Sequence, residues 1–276
     1  MKKALLRFFL CPILLILSLS VVFCACSSET EQPDPTEQPA TLVFLPITRE
    51  ETATLPTETV TETGEEFGER ELLPELLDEF HLENVPGILQ YPEFPTGCEA
   101  VAAVSALQFL GYDITPAEFI DEHLPFAEPF TIRDGRLYGP DPDSGFIGNP
   151  RDAGSFGCFP KGLKKGIESV MQGKNEVIEL EGESFSELCR HLTAGRPVLV
   201  WASGHMGETY PDTPWYLPDG TLYRFPYNEH CLVLTGYSET EYTFMDPMRG
   251  VERSWPKELV ESRYESLGRL ALVLVP

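Results

Sequence analysis

The sequence predicts an α+β fold over residues 81–276, with helices from the first part of this segment packed on an antiparallel sheet from the second. Three stretches indicate it: "CEAVAAVSALQFLGY" (98–112) with apolar residues at helical spacing, the continuous apolar run "PVLVWAS" (197–203), and a strand pair within 230–248. The paired runs, "HCLVLTGYS" and "EYTFMDPM", flank a short turn at Glu239-Thr240 and therefore form a hairpin. Because helices precede strands instead of alternating with them, a parallel α/β sheet is not expected.

The remaining elements follow from local signals in chain order. The first helix stops at Gly111, and a second helix at 115–124 has Thr115 as its cap and Pro116 in its first turn. Beyond these, we predict helices at 161–173 and 184–195 and strands at 175–180 and 270–276. Loops at 125–160 and 204–228 are expected to form the walls of a pocket.

The first twenty-six residues have the order of features that marks an exported bacterial lipoprotein. Three basic residues come first, an apolar run to Phe23 follows, and Ala25 directly precedes Cys26. We therefore predict a signal peptide at 1–25 and lipidation of Cys26, which would anchor the chain outside the cytoplasm on the bacterial cell membrane. Two alternatives stay open. One is plain secretion, because Phe23 stands where Leu or Val is usual, and the other is a retained anchor, although the apolar run is short for a membrane span.

Residues 26–80 are predicted to form an acidic, disordered stalk between the anchor and the folded domain. From Ser27 to Gly68 the sequence is rich in Thr, Glu and Pro and has no lysine, so it has too little apolar area to offset the entropy of ordering. The apolar run "TLVFLPI" (41–47) interrupts it, and leucines at helical spacing in 69–83 predict a helix that leads into the domain.

The charge balance excludes several classes of partner. With 20 basic against 44 acidic residues, the net charge is −24 at pH 7, and removal of the basic leader would make it more negative. Nucleic acid and anionic lipid surfaces are both bound through basic residues, so we expect neither as a partner. The sequence contains no HExxH, zinc-spaced CxxC pair, phosphate loop or GxSxG elbow, and we therefore expect neither a metal nor another cofactor. We also expect the domain to be a monomer.

Four of the seven cysteines lie beyond the leader, at Cys98, Cys158, Cys189 and Cys231. They are too widely spaced for the disulfide scaffold of a small secreted domain. One bridge is compatible with the sequence, which does not select the pair. If Cys98 is catalytic, at least one other cysteine is left unpaired.

Cys98, His230 and Asp246 are the candidate catalytic residues. A thiol attacks a carbonyl group as its thiolate, and both the positive end of a helix and a neighbouring imidazolium lower the pKa of a thiol. Cys98 follows the break at Pro95-Thr96-Gly97 and so opens a helix, whereas the imidazole has to come from a residue distant in sequence. His230 lies where a polar segment enters a strand.

Asp246 ends the partner strand of the hairpin, where its carboxylate can orient the imidazole of His230. Regular pairing about Glu239-Thr240 would instead place Asp246 opposite Val233. We therefore predict a bulge or an irregular register in this hairpin.

Neighbouring residues have simpler interpretations. His205, in "SGHMGE", is the rival base, although we expect it to line the cleft or a loop. Glu99 is expected to support the first turn of the helix, where the helix dipole favours a carboxylate, rather than to take part in chemistry. Cys158 is expected to pack or to shape the cleft, and Cys231 to point away from His230 into the core.

Four segments together resemble the bacterial peptidase C39-like family, a group of papain-fold cysteine hydrolases: "GILQYPEFPTGCEAVAAVSALQFLGY", "FGCF", "GRPVLVWAS" and "NEHCLVLTGYSETEYTFMDP". The resemblance covers nearly the whole folded domain. It implies a papain-like fold in which Cys98 is the nucleophile, His230 is the base and then the acid, and Asp246 orients His230. It also implies that Gln90 lends its amide to an oxyanion hole beside the backbone N–H of Cys98. The sequence departs from bacteriocin-processing relatives at Gly97, where they have an acidic residue.

The sequence therefore predicts an extracytoplasmic cysteine hydrolase that cleaves peptide or peptide-like amide bonds through a Cys-His-Asp triad and a thioester intermediate. Its expected partner is a peptide or protein substrate outside the membrane. Two alternatives stay open: a catalytically silent papain-fold domain that binds a partner at the cell surface, and a hydrolase of the same chemistry that acts on cell-wall peptides.

Overall fold

The computed structural model describes residues 73–276, and this part of the chain confirms the predicted α+β class. Its helices are α1 (Cys98–Phe109), α2 (Pro116–Glu118), α3 (Pro160–Met171), α4 (Phe185–Thr193) and α5 (Lys257–Ser266), with a π turn at Phe119–His123 and a 3-10 turn at Gly204–Met206. Its strands are β1 (Phe80–His81), β2 (Thr131–Arg133), β3 (Arg136–Tyr138), β4 (Glu176–Glu179), β5 (Val198–Ser203), β6 (Tyr210–Tyr216), β7 (Leu222–Tyr227), β8 (Glu229–Tyr237), β9 (Glu241–Asp246), β10 (Val251–Pro256) and β11 (Ala271–Val275).

The predicted signal peptide, Cys26 and the stalk up to residue 72 lie outside the described residues. From residue 73 onward, no helix has the length and apolar character needed to span a bilayer.

The main sheet has the strand order β10-β9-β8-β5-β11-β4, and the short β1 pairs with β8. All of its pairings are antiparallel. Every residue of β5 is buried, and so is every residue of β8 after Glu229, as expected of strands at the centre of a covered sheet. These two strands form the floor on which the candidate site is built.

Helix α1 packs against β8 and β5 and is the centre of the core. The apolar spacing predicts one buried face, but every residue from Cys98 to Leu107 is buried. Four alanines in this helix let neighbouring backbones approach closely on several sides: Ala100, Ala102, Ala103 and Ala106. The amino end of α1, which carries Cys98, is therefore packed into the core.

A second sheet occupies segments that the sequence predicts as loops. Its strand order is β2-β3-β6-β7, and its small core is built around Trp215 and Phe225. The ring of Phe130 meets that of Trp215 edge-on at a centroid distance of 5.1 Å, and Phe156 contacts both core rings. The loop prediction is wrong here because aromatic packing, rather than alternating apolar residues, stabilises these strands.

The leucine-rich segment before the domain is the other misassigned element. In its described part, from residue 73, no helix forms, and Phe80–His81 pairs with Tyr237 and Gly236 instead. The guanidinium of Arg190 also donates hydrogen bonds to the carbonyl oxygens of Leu73 and Pro74. Pairing with the main sheet and a proline within the leucine run outweigh the helical spacing.

Candidate active site

Cys98 is the first residue of α1 and follows a tight pair of turns. The N–H of Phe94 donates to the carbonyl of Gln90 at 2.8 Å, and the N–H of Gly97 donates to the carbonyl of Phe94 at 3.0 Å. A Cβ on Gly97 would lie 2.9 Å from that of Phe94 and 3.1 Å from that of Pro150, so the close packing requires glycine. The backbone N–H of Cys98 belongs to the first helical turn, whose N–H groups have no partner within the helix. The thiol and a free N–H donor are thus placed together.

His230 and Asp246 are joined by a buried hydrogen bond, with Nε2 of the imidazole 2.8 Å from Oδ1 of the carboxylate. The predicted bulge is present at Thr235, where the register of β8 and β9 shifts by one residue. In the shifted register, Val233 faces Met245 rather than Asp246. Asp246 therefore projects from the same face of the hairpin as His230.

The surroundings of Asp246 keep its carboxylate charged. Burial alone would raise its pKa, but the hydrogen bond and charge of His230, the N–H of Met248 at 2.9 Å and the guanidinium of Arg253 together lower it. Nη1 of Arg253 lies 3.9 Å from Oδ2. Because a carboxylate only accepts hydrogen bonds, Nε2 of His230 carries the hydrogen. Nδ1 is then the basic nitrogen of His230.

Cys98, His230 and Gln90 all line one cavity of about 550 Å³. Gln90 is 2% exposed, and its Nε2 donates to the carbonyl of Pro95 at 3.0 Å, which fixes the amide and leaves one of its two hydrogens free. The backbone N–H of Gln90 donates to the carbonyl of Pro247 at 2.9 Å and so ties this residue to the one after Asp246.

Much of the cavity wall consists of aromatic and small residues. The aromatic residues are Tyr91, Phe156, Phe225 and Tyr227, and the small ones include Ala153, Gly154 and Gly204. Both predicted wall segments, 125–160 and 204–228, contribute residues. Of the described residues that line the cavity, Glu229 is acidic and none is lysine or arginine.

The protonation state of the thiol differs from that predicted. Sγ of Cys98 donates a hydrogen bond to Oε2 of Glu99 at 3.2 Å, and the described residues provide no corresponding bond to His230. Burial raises the pKa of Cys98 well above its ordinary value, and the carboxyl groups of Glu99 and Glu229 raise it further, while a hydrogen bond from the backbone N–H of Cys231 opposes them. The sequence predicts that the helix end and an imidazolium lower the pKa of Cys98. In this conformation burial and the two carboxyl groups raise it instead.

Glu229 is a residue of the site that was not predicted from the sequence. Glu99 was predicted only to support the first helical turn, but its carboxyl group also accepts hydrogen bonds from the thiol of Cys98 and the N–H of Cys158. Sγ of Cys98 and one carboxylate oxygen of each glutamate lie within 4.8 Å of one another. That spacing would also admit a cation, but the thiol–carboxyl hydrogen bond already explains the contact with Glu99, and we assign no metal to it. The available signal was an acidic residue directly beside each catalytic candidate, in "GCE" and "NEH".

The rival base His205 lies apart from the site. It is exposed in the turn Gly204–Met206, its Nδ1 is 3.3 Å from Nη1 of Arg253, and it is absent from the described residues that line the cavity. Cys158 is buried, and its carbonyl accepts a hydrogen bond from Nε1 of Trp201 at 3.0 Å, so it packs behind the site as predicted. Cys231 is also fully buried, in the core.

No disulfide joins the cysteines of the described residues. Cys98, Cys158, Cys189 and Cys231 are all free, buried thiols. The single bridge that the sequence allows is therefore not formed within residues 73–276.

Comparison with known proteins identifies the family. Residues 82–272 match the Peptidase_C39 like family. The chain is 26% identical over 183 residues to Uncharacterized protein YvpB of Bacillus subtilis (strain 168), covering 66% of this chain and 70% of that protein. Its fold is similar to a crystal structure from Bacillus anthracis assigned as a C39-like peptidase, with a TM-score of 0.62 and 26% identity over 72% of this chain and 98% of that one. The chain belongs to the Peptidase_C39 like family and has a fold of the cysteine-peptidase type.

Proposed function

We propose that the protein is a cysteine hydrolase that cleaves peptide or peptide-like amide bonds, with Cys98 as its nucleophile. The observation that carries the proposal is the buried 2.8 Å hydrogen bond between His230 and Asp246, in a histidine that lines the same cavity as Cys98. An imidazole oriented by a carboxylate, beside a cysteine at a helix amino end, is the arrangement that activates a thiol for acyl transfer.

The first half of the reaction forms a thioester. The thiol of Cys98 turns from Glu99 and gives its proton to Nδ1 of His230, and the sulfur attacks the carbonyl carbon of the amide. The backbone N–H of Cys98 and the free amide hydrogen of Gln90 donate to the negative oxygen of the tetrahedral intermediate. The imidazolium of His230 then protonates the leaving amine as the C–N bond breaks, which leaves the acyl group on sulfur.

The second half returns the free enzyme. A water molecule gives a proton to Nδ1 of His230 and attacks the thioester carbonyl, with the same donors facing the oxygen. The C–S bond breaks, the sulfur regains a proton from His230, and a carboxylic acid leaves. Asp246 stays ionised throughout and holds the imidazole through Nε2.

The decisive experiment incubates the full-length protein with a mixture of unstructured peptides and quenches the reaction with acid. We expect new peptide ends, and a mass increase on the peptide that contains Cys98 that equals the acyl part of a cleaved substrate. Protein alkylated at Cys98 beforehand is the control and is expected to show neither. Cleavage that persists after complete alkylation of Cys98 would contradict the proposal.

One observation favours the catalytically silent binding domain instead: in the resting site the thiol is bonded to Glu99 and its pKa is raised by burial. If neither peptides nor isolated peptidoglycan is hydrolysed by the intact protein, the binding domain is the better description. Hydrolysis of peptidoglycan without hydrolysis of unfolded protein would select the cell-wall version of the enzyme.

We further propose that the enzyme acts outside the cytoplasm, attached to the membrane through lipidated Cys26. The basic and apolar order of residues 1–25 and the Ala25-Cys26 junction support this location. Intact mass of the mature protein from a native host is expected to correspond to a chain that starts at Cys26 and carries acyl groups. A mature chain that starts at Ser27 or retains Met1 would refute the anchor without affecting the proposed chemistry.

A further inference from the structure

Two carboxyl groups beside the nucleophile have no part in the reaction proposed above. Glu99 is fully buried next to Cys98 in α1, and its Oε2 accepts the thiol hydrogen at 3.2 Å. Glu229 begins β8, directly before His230, and its buried Oε1 has no hydrogen-bond partner among the described residues. The thiol thus lies beside two carboxyl groups, of which that of Glu99 is fully buried and that of Glu229 is partly buried at the cavity.

The carboxyl groups of Glu99 and Glu229 lie close together beside Gly157. Oε1 of Glu99 accepts the N–H of Cys158 at 2.7 Å. A Cβ on Gly157, whose φ is +139°, would lie 2.2 Å from Oε1 of Glu99 and 3.4 Å from Oε2 of Glu229. Both carboxyl groups therefore pack near the same glycine, and a side chain at that position would displace the carboxyl group of Glu99.

Within residues 73–276, lysine and arginine side chains do not balance the charge of the pair. None of the salt bridges formed by the described residues includes Glu99 or Glu229. The titratable groups that interact with the pair or with its partners come from four parts of the fold: Cys98 from α1, Cys158 from the loop before α3, His230 and Cys231 from β8, and Tyr223 from β7. Asp143 acts on Cys158. Buried carboxylates without a cation become neutral by binding protons.

Glu99 is expected to take up a proton near neutral pH. Burial raises the pKa of Glu99 to about 7, against the hydrogen bonds that it accepts from its own N–H, from Cys158 and from Cys98. Burial also raises the pKa of Glu229, and the charge of Glu99 raises it further. The charge beside the sulfur therefore depends on pH in the range where an enzyme of this kind works.

We propose that Glu99 and Glu229 are positioning residues that control the nucleophile, holding Cys98 as a thiol bonded to Glu99 for as long as the pair carries negative charge. This inference rests on the proposed function, because control of Cys98 matters when Cys98 attacks a substrate. Neutralising either carboxyl group removes a negative charge from the neighbourhood of the sulfur and favours the thiolate. The ionisation of Glu99 and Glu229 then sets the fraction of the resting enzyme in which Cys98 is a thiolate.

The test measures the rate of iodoacetamide alkylation of Cys98 against pH in the full-length protein, with peptide mass spectrometry to separate the four domain cysteines. We expect Glu99→Gln and Glu229→Gln each to lower the midpoint of the profile by about one pH unit or more, which is about tenfold faster alkylation at a pH below the wild-type midpoint at which both wild-type carboxyl groups are ionised. Glutamine keeps an oxygen for the N–H of Cys158 and so preserves the packing. EDTA in the buffer excludes a bound cation as the cause.

The matched control is Glu239→Gln, which removes an exposed carboxylate in the turn between β8 and β9, and its profile is expected to coincide with that of the wild type. Midpoints for Glu99→Gln and Glu229→Gln that equal or exceed the wild-type midpoint would overturn the inference.

A second measurement needs no substitution. In ¹³C-carboxyl NMR of wild-type protein labelled at glutamate, we expect two carboxyl signals that titrate well above the ordinary range of glutamate. Titration of all glutamates in the ordinary range would overturn the inference even if the variants failed to fold. Because neither measurement requires hydrolysis, an inactive protein with a shifted alkylation profile would refute the proposed function and leave this inference standing.

Discussion

Replacement of Cys98 by alanine is expected to lower kcat for peptide hydrolysis by about 10⁴-fold or more, since acyl transfer in this mechanism begins at its sulfur. The other cysteines of the described residues are not expected to replace Cys98 as the nucleophile. Cys158 and Cys231 are fully buried and Cys189 lies on α4, and burial raises the pKa of all of them. Steady-state kinetics and acyl-enzyme mass measure the loss.

Stability has to be separated from chemistry in this experiment. Alanine at position 98 fills most of the space of a cysteine that is only 6% exposed, so circular dichroism and thermal melting are expected to change little. Cys98→Ser keeps a donor for Glu99 but is a weak nucleophile, and it is expected to be inactive as well. Cys189→Ala removes another buried thiol and is expected to retain activity. Residual turnover of Cys98→Ala above about 1% of wild type would identify a different nucleophile.

Replacement of Asp246 by asparagine is the second large effect, with an expected loss of about 10³-fold in kcat. The carboxylate only accepts hydrogen bonds and so keeps the hydrogen of His230 on Nε2, whereas the amide of asparagine can donate to Nε2. The hydrogen then moves to Nδ1, and the imidazole no longer accepts the thiol proton. KM is expected to change much less than kcat, because Asp246 is buried behind His230 and does not line the cavity.

The stability of Asp246→Asn relative to wild type is expected to depend on pH. Since the pKa of Asp246 is lower in the folded chain than in the unfolded one, its contribution to stability is fully present above the unfolded value of about 3.9 and is lost as the pH falls through the folded value. The melting temperature of Asp246→Asn is therefore expected to lie below that of wild type at pH 7 and to approach it in strong acid. Asp121→Asn, which loses an exposed bond to Arg151, is the matched control and is expected to show neither effect. A variant with wild-type kcat would remove Asp246 from the mechanism.

Elements with strong local signals could be predicted from the sequence. Helix α1 begins at Cys98 because a turn that needs glycine at Gly97 precedes it, and the two strands of the β8–β9 hairpin follow from their apolar runs. A bulge or an irregular register in this hairpin could also be anticipated, since His230 and Asp246 cannot meet in a regular register, but its position at Thr235 could not.

Other features depend on contacts that have no local pattern. The second sheet is stabilised by aromatic contacts between segments far apart in the chain, such as Phe130 with Trp215. Helix α5 went unpredicted, although Val260 and Tyr264, one turn apart, are its buried residues. The Glu99–Glu229 pair likewise joins the first helical turn to the start of β8. Its effect on Cys98 arises from the charge of two carboxyl groups placed close to the sulfur by the fold, which the sequence does not report directly.

The bulge at Thr235 has a consequence for comparing relatives. It makes the meeting of His230 and Asp246 a property of chain length as well as of residue type. A relative that kept the same histidine and aspartate but had one residue fewer in this hairpin would turn the carboxylate to the opposite face of the sheet. Such a protein would contain the cysteine, histidine and aspartate of the proposed triad, but the histidine and the aspartate could not form a hydrogen bond. Within this family, the spacing between the histidine and the aspartate is therefore as informative about activity as their identities.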